Sequence, residues 1–166
     1  MNKKVYVKGA VMFGLLGLIS STALAADDKV NAGALCYQVS GGVFTRIGGT
    51  VANNGTTDMT VECPVVRDHA DSIFPSSAIS FDVFDRHSTI DVSCSLCNET
   101  GLSNGLSTNC GTPAVSTGWN ATGVKKIWQN TGPSWLGTSQ YSYARCTLPR
   151  FGSAMSHIAR IHYDEP

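Results

Sequence analysis

Six cysteines constrain the fold of this chain more than any other feature of its sequence. They stand at positions 36, 63, 94, 97, 110 and 146. In an exported protein an even number of cysteines indicates disulfides, and six cysteines allow fifteen pairings. The preferred pairs are Cys36 with Cys63, Cys94 with Cys146, and Cys97 with Cys110. The last pair closes a loop of about 14 residues rich in glycine, serine and asparagine, which a crosslink stabilises by up to about 3 kcal/mol.

The first 25 residues have the three parts of a secretory signal peptide. Three lysines precede an apolar run from Ala10 to Ile19, and small residues end the segment at Ala23-Leu24-Ala25. The apolar run is about half as long as a membrane-spanning helix. We therefore expect cleavage before Ala26 and export to the periplasm or the extracellular space. The mature protein, residues 26–166, is then expected to have no membrane anchor.

The charge of the chain argues against a nucleic-acid partner. The full sequence has 12 basic and 12 acidic residues, and residues 26–166 have nine and twelve, a net charge of −3. Proteins that bind nucleic acid carry a basic excess instead. A mildly acidic surface of mixed charge favours solubility rather than polyanion binding.

The sequence Cys94-Ser-Leu-Cys97 also matches two other patterns. A redox CxxC site needs a helix directly after the motif. A zinc site would use the cysteines at 94, 97 and 110, with Cys146 or a histidine as the fourth ligand. Residues 98–101 favour a turn rather than a helix, and thiols of exported proteins are usually oxidised. The sequence therefore predicts disulfides, no metal and no cofactor.

Alternation of apolar and polar residues predicts an all-β fold. In residues 57–63, for example, Met59 and Val61 alternate with Thr60 and Glu62. Strands are expected at 43–51, 57–63, 79–85, 89–96, 124–129, 140–148 and 157–163. No apolar stripe of helical period interrupts them. Seven to eight short strands predict a single antiparallel β-sandwich, with a small closed barrel as the alternative.

Two connections between these strands are expected to be hairpins. The turn signal Asn53-Asn54-Gly55 would join 43–51 to 57–63, and Asp85 to Ser88 would join 79–85 to 89–96. Residues 98–122 are dominated by glycine, serine, threonine and asparagine. We expect a long loop there, held by the Cys97–Cys110 disulfide.

Several short motifs follow one another in a recognisable order. They are the signal peptide, Cys36, Cys63-Pro-Val-Val-Arg67, the strands around Asp85 and Cys94, Cys146-Thr-Leu-Pro149, and a last strand that runs to Tyr163 and Glu165. This order resembles small exported bacterial proteins of unknown function, over nearly all of residues 26–166. The loop closed by Cys97 and Cys110 looks like an addition to that pattern. The resemblance implies a disulfide-bonded β-fold and lends no activity.

Aromatic side chains are concentrated between positions 119 and 143. Trp119, Trp128, Trp135, Tyr141 and Tyr143 are interleaved with asparagine and glutamine. Exposed aromatics beside amide groups would form a platform for a sugar. In the opposing interpretation, Trp128 and one tyrosine pack in the core while the other two tryptophans cover the ends of the sandwich. These five residues are the candidate ligand-binding residues.

No catalytic constellation can be assembled from the sequence. Residues 101–105 match the GxSxG pattern of hydrolases but lack the strand and helix that flank this motif in such enzymes. The histidines at 69, 87, 157 and 162 show no metal-binding spacing. His157 and His162 are five residues apart in a predicted strand, which puts them on opposite faces.

Three carboxylates lie on or beside one predicted hairpin. Asp82, Asp85 and Asp91 would hold a calcium ion if they met at its tip. No calcium-binding loop of the DxDxDG type is present. A turn-capping role for Asp85 and solvation of the other carboxylates is therefore the preferred interpretation.

Three functional hypotheses remain. The first is an exported, non-enzymatic protein with a binding or surface-structural role and an unknown partner. The second is a carbohydrate-binding module that uses the aromatic cluster, whose partner would be a glycan or a surface protein. The third, a small hydrolase, requires a pocket in which a histidine reaches both a serine and a carboxylate.

Overall fold

The computed structural model describes residues 27–66, 79–102, 105–117, 123–129 and 140–165, and most of these lie in β-strands. The strands are β1 (Asp27–Ala32), β2 (Tyr37–Gly41), β3 (Phe44–Ile47), β4 (Thr50–Asn53), β5 (Met59–Pro64), β6 (Ile79–Phe84), β7 (Ser93–Leu102), β8 (Gly105–Cys110), β9 (Ala114–Val115), β10 (Lys125–Trp128), β11 (Gln140–Leu148) and β12 (His157–Glu165). A short 3-10 turn at Gly33–Leu35 separates β1 from β2.

The strands form two antiparallel sheets. The first sheet has the order β10-β6-β12-β4-β3, with β1 also paired to β12. The second sheet has the order β2-β5-β11-β7-β8, with β9 also paired to β7. Buried side chains from both sheets form one core cluster between them. The predicted antiparallel β-sandwich is therefore confirmed, although the described residues include more strands than the seven to eight expected.

The core follows the alternation seen in the sequence. In β5, the buried residues Met59, Val61 and Cys63 alternate with partly exposed ones. The first sheet contributes Val51, Ile79, Phe81, Val83, Ile127, Ile158, Ile161 and Tyr163 to the same cluster. Each large apolar side chain that is fully buried contributes about 1.5–3 kcal/mol of transfer free energy.

The two connections predicted as hairpins cross between the sheets instead. Strand β4 belongs to the first sheet and β5 to the second, and β6 and β7 are divided in the same way. Buried Asn53 holds the first crossing, because its amide group donates to the carbonyls of Thr57 (2.8 Å) and Pro149 (3.1 Å). Its Oδ1 accepts hydrogen bonds from the amides of Val43 and Gly55. The hairpin predictions were wrong because alternation identifies strands and does not identify their partners.

Buried Asp85 holds the second crossing. Its Oδ1 accepts a hydrogen bond from the amide of His87 at 3.2 Å, and its Oδ2 accepts one from the hydroxyl of Ser116 at 2.6 Å. The same hydroxyl accepts from the amide of Val92 at 2.8 Å. The carboxylate therefore joins the chain just after β6 to the chain just before β7 and just after β9.

A tight turn at Gly48 and Gly49 divides the predicted strand 43–51 into β3 and β4. The φ angles of these glycines are +52° and +84°. Residues with side chains rarely adopt such left-handed values, whereas glycine does so without steric cost.

Three disulfides crosslink the second sheet, two of them between neighbouring strands and one between β5 and Cys36, the residue directly before β2. They are Cys36–Cys63, Cys94–Cys146 and Cys97–Cys110, which are the three pairs preferred from the sequence. Cys94 faces the core, whereas Cys97 faces outward because a separation of three residues reverses the side-chain direction in a strand. Strand β7 thus carries one crosslink on each of its faces.

Much of the loop expected over residues 98–122 is strand. Strand β7 continues to Leu102, and β8 pairs with it in a register that places Cys110 opposite Cys97. Strand β9 pairs with the start of β7. The loop prediction was wrong because pairing of backbone groups needs no apolar alternation, and the crosslink joins the two strands directly.

The predicted signal peptide, residues 1–25, lies outside the described residues. The three disulfides indicate that the chain folds in an oxidising compartment, in agreement with a periplasmic or extracellular location. Within the described ranges, no helix has the length and apolar character that crossing a membrane requires.

Candidate functional site

Three rows of outward-facing side chains run across β10, β6 and β12 in the first sheet. Directly opposite residues of antiparallel strands point to the same side, so the register identifies the rows. They are Trp128, Ser80 and His162; then Lys126, Asp82 and Arg160; then Phe84 and His157. Neighbouring rows are about 7 Å apart along the strands. We call this surface the groove face.

A groove of about 560 Å³ lies over the second and third rows. Its lining includes Asp82, Phe84, Val124, Ala159 and Arg160, with the β3–β4 turn along another side. The volume falls within the range of about 300–1,000 Å³ that is typical of small-ligand sites. Apolar and charged groups therefore meet in a space large enough for a small polar molecule.

A β-bulge in β12 sets the direction of the two histidines. The register of β12 against β6 shifts between Ile158 and Arg160, so that one extra residue enters the strand. His157 and His162 consequently both point outward. The prediction that they lie on opposite faces was wrong because it assumed an unbroken alternation.

The charge of Asp82 is balanced by its neighbours. Its Oδ2 lies 2.8 Å from Nε2 of His162, and its Oδ1 lies 4.0 Å from Nζ of Lys126. A carboxylate with little solvent contact needs partners of this kind. Asp82 can therefore accept a hydrogen bond from a ligand while adding little unbalanced negative charge to the groove.

The hydrogen bonds of His157 define its tautomer. The hydroxyl of Thr50 donates to the carbonyl of Ile47 at 2.7 Å, so it accepts from Nδ1 of His157 at 3.1 Å. The Nε2 atom then carries the lone pair. Burial, followed by the positive charge of Arg86, lowers the pKa of His157 from its usual value of 6.5. The ring is therefore neutral at pH 7.

Two arginines near the groove have no carboxylate partner within the described part of the chain. Arg160 lines the groove and is exposed. The guanidinium of Arg86 lies 5.6 Å from the centre of the Phe84 ring, and its buried Nε has no hydrogen-bond partner. Asp82 is already paired, so Arg160 is the unpaired charge among the described residues that line the groove.

Trp128 lies in the first row of the groove face. Its side chain is 55% exposed, and Nζ of Lys126 lies 5.5 Å from the centre of its ring. The interpretation that places Trp128 in the core is therefore wrong, since Ile127 is the residue of β10 that packs inward. The exposed indole offers apolar surface to a ligand on this face.

The other predicted aromatic residues do not join Trp128. Tyr141 and Tyr143 lie on the outer face of the second sheet, on the opposite side of the sandwich. Trp119 and Trp135 fall outside the described residues. The described members of the aromatic cluster therefore do not form one platform, because residues 119–143 contribute strands to both sheets.

The outer face of the second sheet carries a network of hydrogen bonds. Arg145 donates to Oε1 of Glu62 through Nε (3.0 Å) and Nη2 (2.7 Å), and to the Tyr143 hydroxyl at 3.0 Å. Tyr37 donates to Oε2 of Glu62 at 2.7 Å. This bond, with burial and the charge of Glu62, raises the pKa of Tyr37 to about 12. Burial raises the pKa of Tyr143. These groups satisfy one another, so they offer less to a ligand than the groove face does.

The predicted alternatives based on metals find no support in the described residues. Asp85 bonds to Ser116 and to a backbone amide, while Asp82 pairs with His162 and Lys126. No three metal-ligating side chains come together among the residues with described positions. The zinc and redox-thiol interpretations of Cys94 and Cys97 are wrong, because both cysteines are in separate disulfides.

The arrangement required by the hydrolase hypothesis is not formed by the described histidines. His162 contacts a carboxylate, His157 contacts a threonine hydroxyl, and Nδ1 of His87 accepts bonds from two backbone amides. His69 falls outside the described residues, and so does Ser103, the serine of the GxSxG pattern.

Phe84, Arg86 and Arg160 were missed as site residues by sequence reasoning. Phe84 occupies an outward position of the predicted strand 79–85, and an outward aromatic residue is the signal that could have marked it. Arg160 could not have been assigned to the same site from the sequence, because the sequence does not show that β12 pairs with β6.

Comparison with known proteins shows similarity to solved structures. No protein-family model matches the sequence, and no curated protein matches it. Three chains of solved structures match, among them a low-affinity xylan-binding module, CBM86, from the gut symbiont Roseburia intestinalis. The identity is 13% and the TM-score 0.47, with 84% of this chain and 96% of that chain covered.

Proposed function

We propose that this protein is an exported, non-catalytic binding protein that holds a carbohydrate in the groove of the first sheet. The observation that carries the proposal is the composition of the groove face. A groove of about 560 Å³ is lined by Phe84 and Val124 together with Asp82 and Arg160, and the exposed Trp128 lies on the same face.

Sugars match this combination of groups. A pyranose ring has an apolar C–H side that packs on aromatic rings, and hydroxyl groups that exchange hydrogen bonds with carboxylates and guanidiniums. Phe84 and Trp128 supply the aromatic surfaces, and Asp82 and Arg160 supply the polar partners. The three rows span about 14 Å along the strands, which gives room for more than one sugar ring.

Binding without cleavage is favoured by the number of acids among the described residues that line the groove. Glycoside hydrolysis generally uses two carboxyl groups on either side of the bond to be broken. Among the described residues that line the groove, Asp82 is the one carboxylate, and it is paired with His162.

The test is a titration of a panel of oligosaccharides by calorimetry with the native protein and two variants. Trp128→Ala should weaken binding at least tenfold, a loss of about 1.4 kcal/mol. Tyr141→Ala is the matched control, because Tyr141 is 54% exposed on the opposite sheet, and it should bind like the native protein. Absence of binding across the panel, or equal binding by both variants, would contradict the proposal.

A further inference from the structure

We propose that the groove selects carbohydrates that carry a carboxylate, such as oligosaccharides of hexuronic acid, and that Arg160 binds this carboxylate. The inference rests on the proposed function and names the class of sugar for the same site. It follows from the charges on the groove face, taken group by group.

Asp82, the one acid among the described residues that line the groove, is already paired. Asp82 contacts His162 at 2.8 Å and faces Lys126 at 4.0 Å. A ligand carboxylate that enters the groove therefore does not meet an unpaired negative charge. Without these two partners, Asp82 would repel an acidic sugar.

Arg160, the positive residue in the described lining of the groove, is not neutralised. Arg160 is an exposed lining residue with no acidic partner in the described ranges. Arg86 is not a lining residue, but its guanidinium lies 5.6 Å from the centre of the Phe84 ring and adds a second positive charge beside the groove. A guanidinium binds a carboxylate through two parallel hydrogen bonds. A hydroxyl group of a neutral sugar, which has a single oxygen, cannot form this pair of bonds.

The positions of these groups suit an acidic sugar ring. Phe84 and Arg160 belong to neighbouring rows about 7 Å apart, and an arginine side chain is long enough to reach across this distance. A ring packed on Phe84 can therefore direct its exocyclic carboxylate towards Arg160. Because residues 26–166 have a net charge of −3, the overall field opposes an anion, and selection of an anionic sugar must come from the unpaired arginine of the groove.

The experiment compares a galacturonic acid oligomer with its methyl ester, which has the same rings without the charge. The native protein should bind the acid at least tenfold more tightly than the ester in calorimetry, and added salt should reduce this preference. Arg160→Gln should abolish the preference, and Arg160→Lys should retain part of it, because the charge remains while the paired geometry is lost. Arg150→Gln, which removes an exposed arginine outside the groove lining, should keep the full preference.

The outcomes separate this inference from the proposed function. Equal binding of acid and ester, or a preference that survives in folded Arg160→Gln, overturns the inference and leaves carbohydrate binding intact. If no neutral or acidic sugar binds the native protein, both fail. If Arg160→Gln does not fold, the acid and ester titrations of the native protein and of Arg160→Lys decide the outcome.

Discussion

At the scale of single residues, polar side chains of this protein serve two different purposes. Asn53 and Asp85 are buried and hold the crossings between the sheets through hydrogen bonds to backbone groups and to Ser116. Glu62 is paired with Arg145 and Tyr37 on the second sheet. Arg160, in contrast, has no acidic partner among the residues whose positions the structure describes. The pairing of a polar group thus distinguishes structural residues from those that remain available to a ligand.

The pairing of Tyr37 with Glu62 predicts a pH dependence of stability. The pKa of Tyr37 is raised from 10.0 to about 12 in the folded protein, so the folded state holds this proton more tightly than the unfolded state. The stabilisation is complete below pH 10 and is lost as the pH rises through 12. Because Tyr37 is 46% exposed, the expected loss is roughly 0.5 kcal/mol.

Absorbance of tyrosinate during an alkaline titration measures this effect. The native protein should show a component of tyrosine ionisation above the usual pKa of 10, to which Tyr143 also contributes, and Tyr37→Phe should reduce the amplitude of that component by one tyrosine. Tyr141→Phe should leave it in place. A titration that is the same before and after Tyr37→Phe would contradict the assignment.

At the scale of strands, the sequence predicts where a strand lies better than it predicts which strand it pairs with. Strand β5 was recognised because Met59 and Val61 alternate with polar residues, and β6 for the same reason. Strand β8 was missed because its glycine, serine, threonine and asparagine residues show no alternation, although the Cys97–Cys110 pair preferred from the sequence lies across β7 and β8. The side-chain directions in β12 could not be predicted, because the alternation of residues in the sequence does not show where a β-bulge occurs.

The crosslinks within the second sheet predict a ranking of stabilities. Replacing Cys97 and Cys110 with serine opens a loop with a sequence separation of 13, and replacing Cys94 and Cys146 opens one of 52. Loop entropy gives losses of about 3 and about 4 kcal/mol respectively. The second pair also leaves polar hydroxyls in the core, which adds to its cost. Urea unfolding of the two double variants measures both losses, and the reverse ranking would contradict this account.

At the scale of the whole molecule, the sheets differ in what holds them together. The three disulfides join strands of the second sheet to one another, whereas the first sheet and the contact between the sheets depend on hydrogen bonds and core packing. The composition of the sequence indicated disulfides and a core. The sequence did not predict that all three disulfides lie in one sheet and the groove on the other. Both depend on which connections cross from one sheet to the other.

This difference predicts an uneven response to reduction. After mild treatment with a thiol reductant, amide hydrogen exchange should rise more in β5, β7, β8 and β11 than in β6 and β12, because only the former group loses crosslinks. Mass spectrometry of peptides from the two sheets measures the difference. A sample carried through the same steps without reductant is the control, and an equal rise in both sheets would show that the sandwich opens as one unit.

The positions of the disulfides along the chain also divide the protein in two. Cys36–Cys63 lies before Val66, and the other two disulfides lie after Ile79. A chain cut between these two residues therefore yields fragments with no covalent link between them, yet each fragment supplies strands to both sheets. Such fragments have to recombine through strand pairing and core packing alone. The chain thus has the layout of a split protein, in which recovery of the groove would report that the two halves have met.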